Sequence, residues 1–400
     1  MTETLTEALF TIATGSQRHT RHVELAATAP VHRIVLPTGQ PAWLITGHDE
    51  VRRALHDPRL VKSDASLAML SPDRLSDDVF AAVASHMLNR NPPDHTRLRR
   101  LVTAAFTRRR VEQLAPRIQQ ITDGLLNEMA GEAQVDLIRS FALPLPITVI
   151  CELLGVPADR HTDFHDWSAT LVTGPFADPD AYSSAATALV RYLRKLLEIK
   201  RAAPTDDLFS ALVAVRDGQD QLSEHELTSM VFLILVAGHE TTVNLIGNGV
   251  HALLVNCEQL TLLRAQPHLL GTAVEELLRF NGPVHATPFR QATEPIDIGG
   301  VTIPAGDIVV PGLLAANRDP ACIAKPNTLD ITRSDNLHLA FGHGIHHCLG
   351  AALARLEGRI ALGALLARFP RLRLAVPNEQ LTWRPGVVMN GLDALPVLLQ

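Results

Sequence analysis

From Asp49 to Leu270, apolar residues recur every three to four positions, the period of helices that bury one face. Clusters of Pro and Gly such as GVPADRH and TGPFADPDAY divide this region into separate helices. Ahead of it, HRIVLPTGQPAWLIT reads as two short strands joined by turn residues at Pro37, Thr38, Gly39, Gln40 and Pro41. Downstream, IDIGGVTIPAGDIVVPG carries further strand-like runs with a turn at Pro304, Ala305 and Gly306, and the tail GVVMNGLDALPVLLQ is expected to form another short hairpin. The longest helix is predicted to begin at Ser223, where Ser223 and Glu226 match the S-x-x-E capping box, and to run to about Val255. Its stretch Met230 to Ala237 is apolar on every side, so it passes through the core, yet it falls far short of the ~20 residues needed to cross a bilayer. No repeat or long polar linker interrupts the pattern, so residues 1–400 are expected to form a single domain, mainly α with a smaller β region.

Composition narrows the classes. Hydrophobic residues make up 46% and charged residues 20%, enough for a large core and incompatible with disorder. A net charge of -6 gives no sequence-wide attraction to nucleic acid or to anionic membranes. Met1 to Thr14 contains Glu3 and Glu7 but no Lys, Arg or sustained apolar run, so a cytoplasmic protein without signal peptide or anchor is expected. The four cysteines show no CxxC pair, which argues against a disulfide framework, and Cys151, Cys257 and Cys322 are expected simply to pack.

Cys348 has different neighbours. It lies in the segment Phe341-Gly-His-Gly-Ile-His-His-Cys348-Leu-Gly350, and beyond it Leu349, Leu353, Leu356 and Ile360 recur at helical spacing. A cysteine at a helix N-terminus meets the positive end of the helix dipole, which favours a thiolate. Gly342, Gly344 and Gly350 allow a flat group to approach the backbone, and Phe341 is available to shield the sulfur. A buried structural cysteine remains open on these residues alone. So does a zinc site using His343, His346, His347 and Cys348, although four ligands within six residues converge poorly on a tetrahedron.

Phe341, Gly344, Cys348 and Gly350 resemble the F-x-x-G-x-x-x-C-x-G haem-ligand loop of the cytochrome P450 family, and other motifs follow in family order. Glu276 and Arg279 are similar to its E-x-x-R element, with Arg333 as a candidate third member. His95, Arg99, Arg290 and His346 resemble its haem-propionate binders, the charge-assisted partners that two buried carboxylates require. Glu240 and Thr241 resemble the acid-alcohol pair facing dioxygen. Ala237 would lie against the haem, Gly238 would permit a local opening of the helix, and His239 is expected to be structural.

The resemblance implies a triangular helical domain around one haem b (iron protoporphyrin IX), with Cys348 as the iron ligand. It implies a bacterial, secondary-metabolite type of monooxygenase that hydroxylates a lipophilic small molecule such as a macrolide, polyketide, terpenoid or steroid. Dioxygen is the co-substrate. No cysteine set for an iron-sulfur cluster and no G-x-G-x-x-G loop is visible, so electrons are expected from a separate ferredoxin and ferredoxin reductase. The ferredoxin is expected to dock where Arg97, Arg100, Arg108, Arg109, Arg110 and Arg355 gather, on a monomer that binds neither nucleic acid nor membrane. Pocket walls are expected from the loop after Leu60, Leu171 to Tyr182, Val236 and Ala237, Val284 to Phe289, and Val388 to Asn390. Two other classes stay open: a haem-binding sensor or carrier without turnover, and a zinc-binding or cofactor-free helical interaction protein.

Overall fold

In the computed structural model, the capping box at Ser223 starts the longest helix as the sequence predicts. The Ser223 N–H donates to the Glu226 carboxylate at 2.7 Å, and the Glu226 N–H donates to Ser223 Oγ at 3.2 Å. The helix runs Glu224–Val255 and is the one described helix apolar and long enough to cross a bilayer, with 72% of its most apolar window buried. The structure describes residues 15–63, 75–173, 178–216 and 222–400. Met1 to Thr14, on which the expectation about a leader rests, lies outside them.

The chain folds as two compact units. The first comprises Met1–Val61, Ala115–Leu145 and Thr241–Gln400; the second comprises Lys62–Leu114 and Pro146–Glu240. All ten strands of the described residues belong to the first unit. They are β1 (Val31–Val35), β2 (Pro41–Ile45), β3 (Leu60–Val61), β4 (Gln134–Asp136), β5 (Arg290–Ala292), β6 (Ile296–Ile298), β7 (Val301–Ile303), β8 (Ile308–Pro311), β9 (Arg373–Leu374) and β10 (Pro396–Leu398).

The largest sheet has the order β1-β2-β8-β5-β3. β1 and β2 pair antiparallel from Val31 opposite Ile45 to Val35 opposite Pro41, closed by Gly39 at φ 81°. β8 then adds parallel to β2. The Gly299-Gly300 turn joining β6 to β7 has both residues at positive φ, as a two-residue type I′ hairpin requires. The expected hairpin of the tail is met only by an antiparallel bridge between Trp383 and Leu392, while β10 pairs with β4 and with β9, whose residues lie elsewhere in the chain. Under the main sheet, Val51, Leu55, Leu60, Ala292, Val309 and Leu339 share one apolar cluster, which brings the helix His48–His56 beneath the strands.

Also in this unit, the helix Ala351–Arg368 packs on Ala115–Met129 and on Leu270–Asn281. It buries Glu357, whose Oε2 has no partner among the described residues, and Thr122 Oγ1 on Ala115–Met129 is likewise buried without one. Burial pushes the Glu357 carboxyl up to about 8, so the folded chain holds it neutral.

Among its described residues the second unit contains helices and no strand. Pro179–Ala202 packs against His161–Thr173, Asp77–Ala84 and Leu208–Arg216, around a core that includes Leu98, Leu189, Leu193, Phe209 and Met230. Asp178 caps Pro179–Ala202 by accepting from the N–H groups of Asp180 and Ala181. Near its other end the buried Lys200 pairs with Asp207, and Gly155 is required there because a Cβ would fall 2.1 Å from Asp207 Oδ2.

Of the cysteines expected to pack, only Cys151 does; Cys257 and Cys322 are exposed. Cys151 sits on Pro144–Leu154, while the other two lie at a helix start and in a turn, where apolar neighbours are sparse.

Glu357 makes stability pH-dependent in a definite direction. In the unfolded chain it ionises above its ordinary value of 4.5, whereas in the folded chain it stays protonated to about 8. Unfolding therefore releases a proton across that window, and stability falls as pH rises, by at most about 1.4 kcal/mol per pH unit. Glu357→Gln removes this slope. Urea unfolding of variant and wild type should differ progressively more from about pH 5 to about pH 8, to the variant's advantage. A difference constant with pH would show that the carboxyl is not held neutral.

Candidate functional site

The loop Phe341–Gly350 is shaped by its glycines. Gly342 and Gly344 adopt φ 70° and 72°, and a Cβ on Gly344 would stand 2.8 Å from the Leu55 carbonyl oxygen, so only glycine lets the loop lie on the helix His48–His56. The Cys348 N–H donates to the Phe341 carbonyl at 2.9 Å and the His347 N–H to the Gly344 carbonyl at 3.1 Å, closing the loop on itself. Gly350 is the N-cap of the helix Ala351–Arg368, whose first turn carries no acidic residue to cancel the positive end of its dipole. Cys348 stands two residues before that cap and is exposed. These conditions favour a thiolate able to bind metal.

Two neighbouring carboxylates hold this loop. Glu275 accepts from Arg355 Nε and Nη2 at 2.7 and 2.8 Å, and His338 Nε2 stands 3.1 Å away. Burial raises the Glu275 carboxyl, but the hydrogen bonds from His338 and Arg355 outweigh it and hold the group down at about 2. The Arg355 guanidinium lies over the Phe341 ring at 4.3 Å, so Phe341 is stacked on a fixed cation. Glu276, 0% exposed, accepts from Arg279 Nε and Nη2 at 2.7 and 2.8 Å and from Arg333 Nε at 3.1 Å. Arg333 is therefore the third member of the Glu276-Arg279 pair.

Arg290 projects from β5 into the interior. Its Nη1 donates to the Leu60 carbonyl at 3.1 Å, while its buried Nε has no partner among the described residues. Burial pushes the guanidinium down to about 10, so it remains a buried cation near neutral pH. His346 is half-buried in the short helical turn Gly344–His346.

The first unit thus holds Arg290, Thr241 and the loop residues Phe341, Gly342, His346, Cys348 and Gly350, whereas His95, Arg99, Ala237 and Glu240 belong to the second. His95 and Arg99 lie one turn apart on the helix Asp94–Ala105; burial, with the Arg99 charge, lowers the His95 imidazole. On the long helix, Ala237 is exposed and Leu233, Val236 and Thr241 are half-buried, an uncovered stripe at helical spacing on an otherwise buried element. Glu240 is 2% exposed. His239 is structural, as expected: Nδ1 stands 2.8 Å from the Leu235 carbonyl and Nε2 stands 3.0 Å from Ser168 Oγ. Gly238 does not open the helix, which is unbroken there; a Cβ would come within 2.9 Å of Ile150 Cδ1, so the glycine serves packing.

The family model for cytochrome P450 matches residues 261–390. Cytochrome P450 107B1 of Saccharopolyspora erythraea is 51% identical, over 97% of this chain and 96% of its own length. This chain belongs to the cytochrome P450 family. The polyketide biosynthesis cytochrome P450 PksS of Bacillus subtilis is 44% identical over 92% of this chain and 93% of its own. Among solved structures, the tirandamycin C-bound P450 monooxygenase TamI superposes with a TM-score of 0.89 at 47% identity, covering 98% of this chain and 99% of that one. The chain is a P450 monooxygenase of the bacterial secondary-metabolite type, and the family implies a haem-thiolate iron cofactor.

The residues present fit that group. The P450 chain presents an exposed cysteine before a helix N-terminus, glycines that leave the backbone open, and a buried guanidinium whose Nε lacks a partner among the described residues, which a carboxylate would satisfy.

The expected basic face is only partly available to this P450. Arg97 pairs with Glu226, Arg108 with Glu112, Arg110 with Asp206, and Arg355 with Glu275, while Arg100 and Arg109 are exposed. Arg355, half-buried, is engaged by Glu275 and by the Phe341 ring. Of the expected pocket walls, residues 64–74 after Leu60 and residues 174–177 lie outside the described residues. The sequence reading missed Glu275 and His338 altogether, since neither stands at a spacing that separates it from a surface pair.

If Arg290 supplies charge to a bound carboxylate, Arg290→Leu should release haem faster by about tenfold or more, the equivalent of losing one charge-assisted contact. Transfer of haem to an excess of apomyoglobin measures the rate. A rate equal to wild type in a folded variant would remove Arg290 from the site.

Proposed function

We propose that this P450 uses haem b, held through Cys348, to hydroxylate a lipophilic small molecule of the polyketide or macrolide class with dioxygen and electrons from a ferredoxin and its reductase. The observation that carries the ligand assignment is the exposed Cys348 sulfur in a glycine-lined loop ahead of a dipole that no acidic residue cancels. The substrate class rests on the polyketide named for one relative and the tirandamycin C bound by a structural neighbour, together with the apolar side chains Leu233 and Val236 on the uncovered stripe.

When bound, haem with a thiolate ligand supplies the activation of dioxygen and cleavage of its O–O bond. The protein's part is to bind, orient and deliver protons. Cys348 would hold the iron through Sγ and supply electron density to it, with Phe341, fixed by Arg355, beside the loop. His95, Arg99, Arg290 and His346 would neutralise the propionates, while Ala237, Gly342 and Gly350 would leave room for a flat ring. Thr241 Oγ1 can both accept and donate a hydrogen bond, so it would orient a proton at the oxygen site, and the Glu240 carboxyl group would resupply that proton. Arg100 and Arg109 supply the positive surface on which an acidic ferredoxin docks.

Cys348→Ser replaces a strong sulfur donor by a weak alcohol, and the red-shifted band of the reduced carbon monoxide complex should vanish with turnover; retention of that band would reassign the ligand. Thr241→Ala should still bind substrate and consume NADPH but divert most reducing equivalents to hydrogen peroxide, because protons arrive without orientation. Product formed per NADPH, with peroxide measured alongside, decides this, and wild-type coupling in the variant would exclude Thr241 from the relay. Reversing Arg100 and Arg109 to Glu together should slow first-electron transfer about tenfold at low salt and flatten its salt dependence, with substrate affinity unchanged. Equal stopped-flow reduction rates for variant and wild type would move the docking face elsewhere.

A further inference from the structure

His48 is the first residue of the helix His48–His56, and it is 4% exposed. Its Nε2 stands 2.7 Å from the Leu337 carbonyl oxygen, which can only accept, so Nε2 carries the proton and Nδ1 of the neutral ring presents a lone pair. That Nδ1 is buried and has no hydrogen-bond partner among the described residues. The nearest carboxylate oxygen of Asp49 is 3.7 Å away, beyond hydrogen-bond distance. Cys322 Sγ completes a cluster in which one ring nitrogen of His48, an Asp49 carboxylate oxygen and the sulfur all lie within 4.8 Å of one another.

The turn carrying Cys322 is tied to the start of this helix. Asp319 Oδ2 accepts the His48 N–H at 2.8 Å and Oδ1 accepts the Ala321 N–H at 2.8 Å. The Asp319 carbonyl accepts the N–H groups of Cys322 and Ile323 at 3.3 and 3.0 Å. The carboxylates of Asp49, Asp319 and Glu50 surround the Cys322 thiol, and these negative surroundings favour a cation.

We propose that His48 Nδ1, the Asp49 carboxylate and Cys322 Sγ bind one zinc-class divalent cation, with water as the fourth ligand. Nitrogen, sulfur and oxygen donors in one set suit zinc rather than magnesium or calcium, which take oxygen. The thiolate and carboxylate together balance a charge of two. Binding forms the metal–sulfur bond as the thiol proton leaves to solvent, without change of oxidation state. Tetrahedral coordination needs donors about 3.3–3.8 Å apart, so rotation of the exposed Asp49 and Cys322 side chains by about 1 Å toward the buried ring closes the set. The Leu337 carbonyl then plays the outer-shell part of fixing the histidine tautomer. The cation would clip the turn to the helix whose far end, at Leu55, carries the Gly344 loop.

Haem-loaded protein cleared of metal with a chelator should take up one equivalent of zinc chloride at micromolar affinity or tighter, and binding should strengthen from about pH 6 to about pH 8. Zinc-edge X-ray absorption should show one sulfur at about 2.3 Å among nitrogen and oxygen neighbours at about 2.0–2.2 Å. Cys322→Ser changes one atom at an exposed position and should weaken uptake about tenfold or more, as should His48→Gln; Asp49→Asn should weaken it less. The carbon monoxide spectrum checks that each variant still holds haem. Equal uptake by Cys322→Ser and wild type, absence of sulfur from the absorption spectrum, or no uptake at about a hundred micromolar zinc would each overturn the site.

Discussion

The Glu276 carboxylate lies wholly inside the first unit and accepts hydrogen bonds from five donors: Arg279 Nε and Nη2, Arg333 Nε, the Asp330 N–H and Asn336 Nδ2. An ion so placed costs several kcal/mol to desolvate, and only saturation of its lone pairs offsets that. Arg279 uses its remaining N–H groups on the carbonyls of Asn317, Pro326 and Thr328, so two charges organise a long stretch that contains no regular helix or strand. That stretch leads into the thiolate loop through Leu339, whose N–H donates to Asn317 Oδ1 at 2.6 Å. The position of Cys348 therefore rests on a buried pair, Glu276 and Arg279, that stands 72 and 69 residues before it in the chain. Breaking the pair by removing one partner would leave an uncompensated charge, a loss on the order of 3–5 kcal/mol.

Glu275 and Glu276 are consecutive on the helix Leu270–Asn281, so their side chains point about 100° apart. One organises the stretch before the cysteine loop, and the other reaches Arg355 and, through it, Phe341. A single helix thus sets both the approach to the loop and the aromatic ring within it. Gly344 adds a third restraint from a different element, the carbonyl of Leu55. Restraints from separate elements are what a metal ligand needs if its geometry is to survive thermal motion.

Features carried by neighbouring residues were legible in the sequence. The Ser223-Glu226 box, the β1–β2 turn, the helix behind Cys348 and the cysteine loop itself all depend on spacings of a few residues. Arg333 was only a candidate, because its partner stands 57 positions away and spacing says nothing over that distance. The same blindness explains the tail, where β10 finds β4 far upstream, and Arg355, whose charge looks like surface until Phe341 and Glu275 are seen beside it. Cys322 and His48 stand 274 positions apart, so no local pattern could have joined them; a turn anchored by Asp319 brings them together. Gly238 looked like a hinge because glycine weakens helices, but close packing asks for the same residue.

The long helix shows how a nearly all-apolar element acquires a defined rotation. Its buried faces alone would tolerate a turn of one residue, about 100°, since apolar contacts are non-directional. Polar staples are less forgiving. In the first unit Asn248 Nδ2 donates to the Asn390 carbonyl at 2.8 Å, Asn244 Oδ1 accepts from Arg384 Nη2 at 2.8 Å, and Gly247 makes room for Ile138, with a Cβ falling 2.5 Å from its Cδ1. In the second unit His239 meets Ser168, and Gly238 meets Ile150. Rotating the helix would break each of these contacts and leave buried amides unpaired, at about 1–3 kcal/mol apiece. The polar residues are thus what keeps Thr241 on the uncovered stripe and Glu240 beneath the surface, a distinction that hydrophobic burial could not enforce.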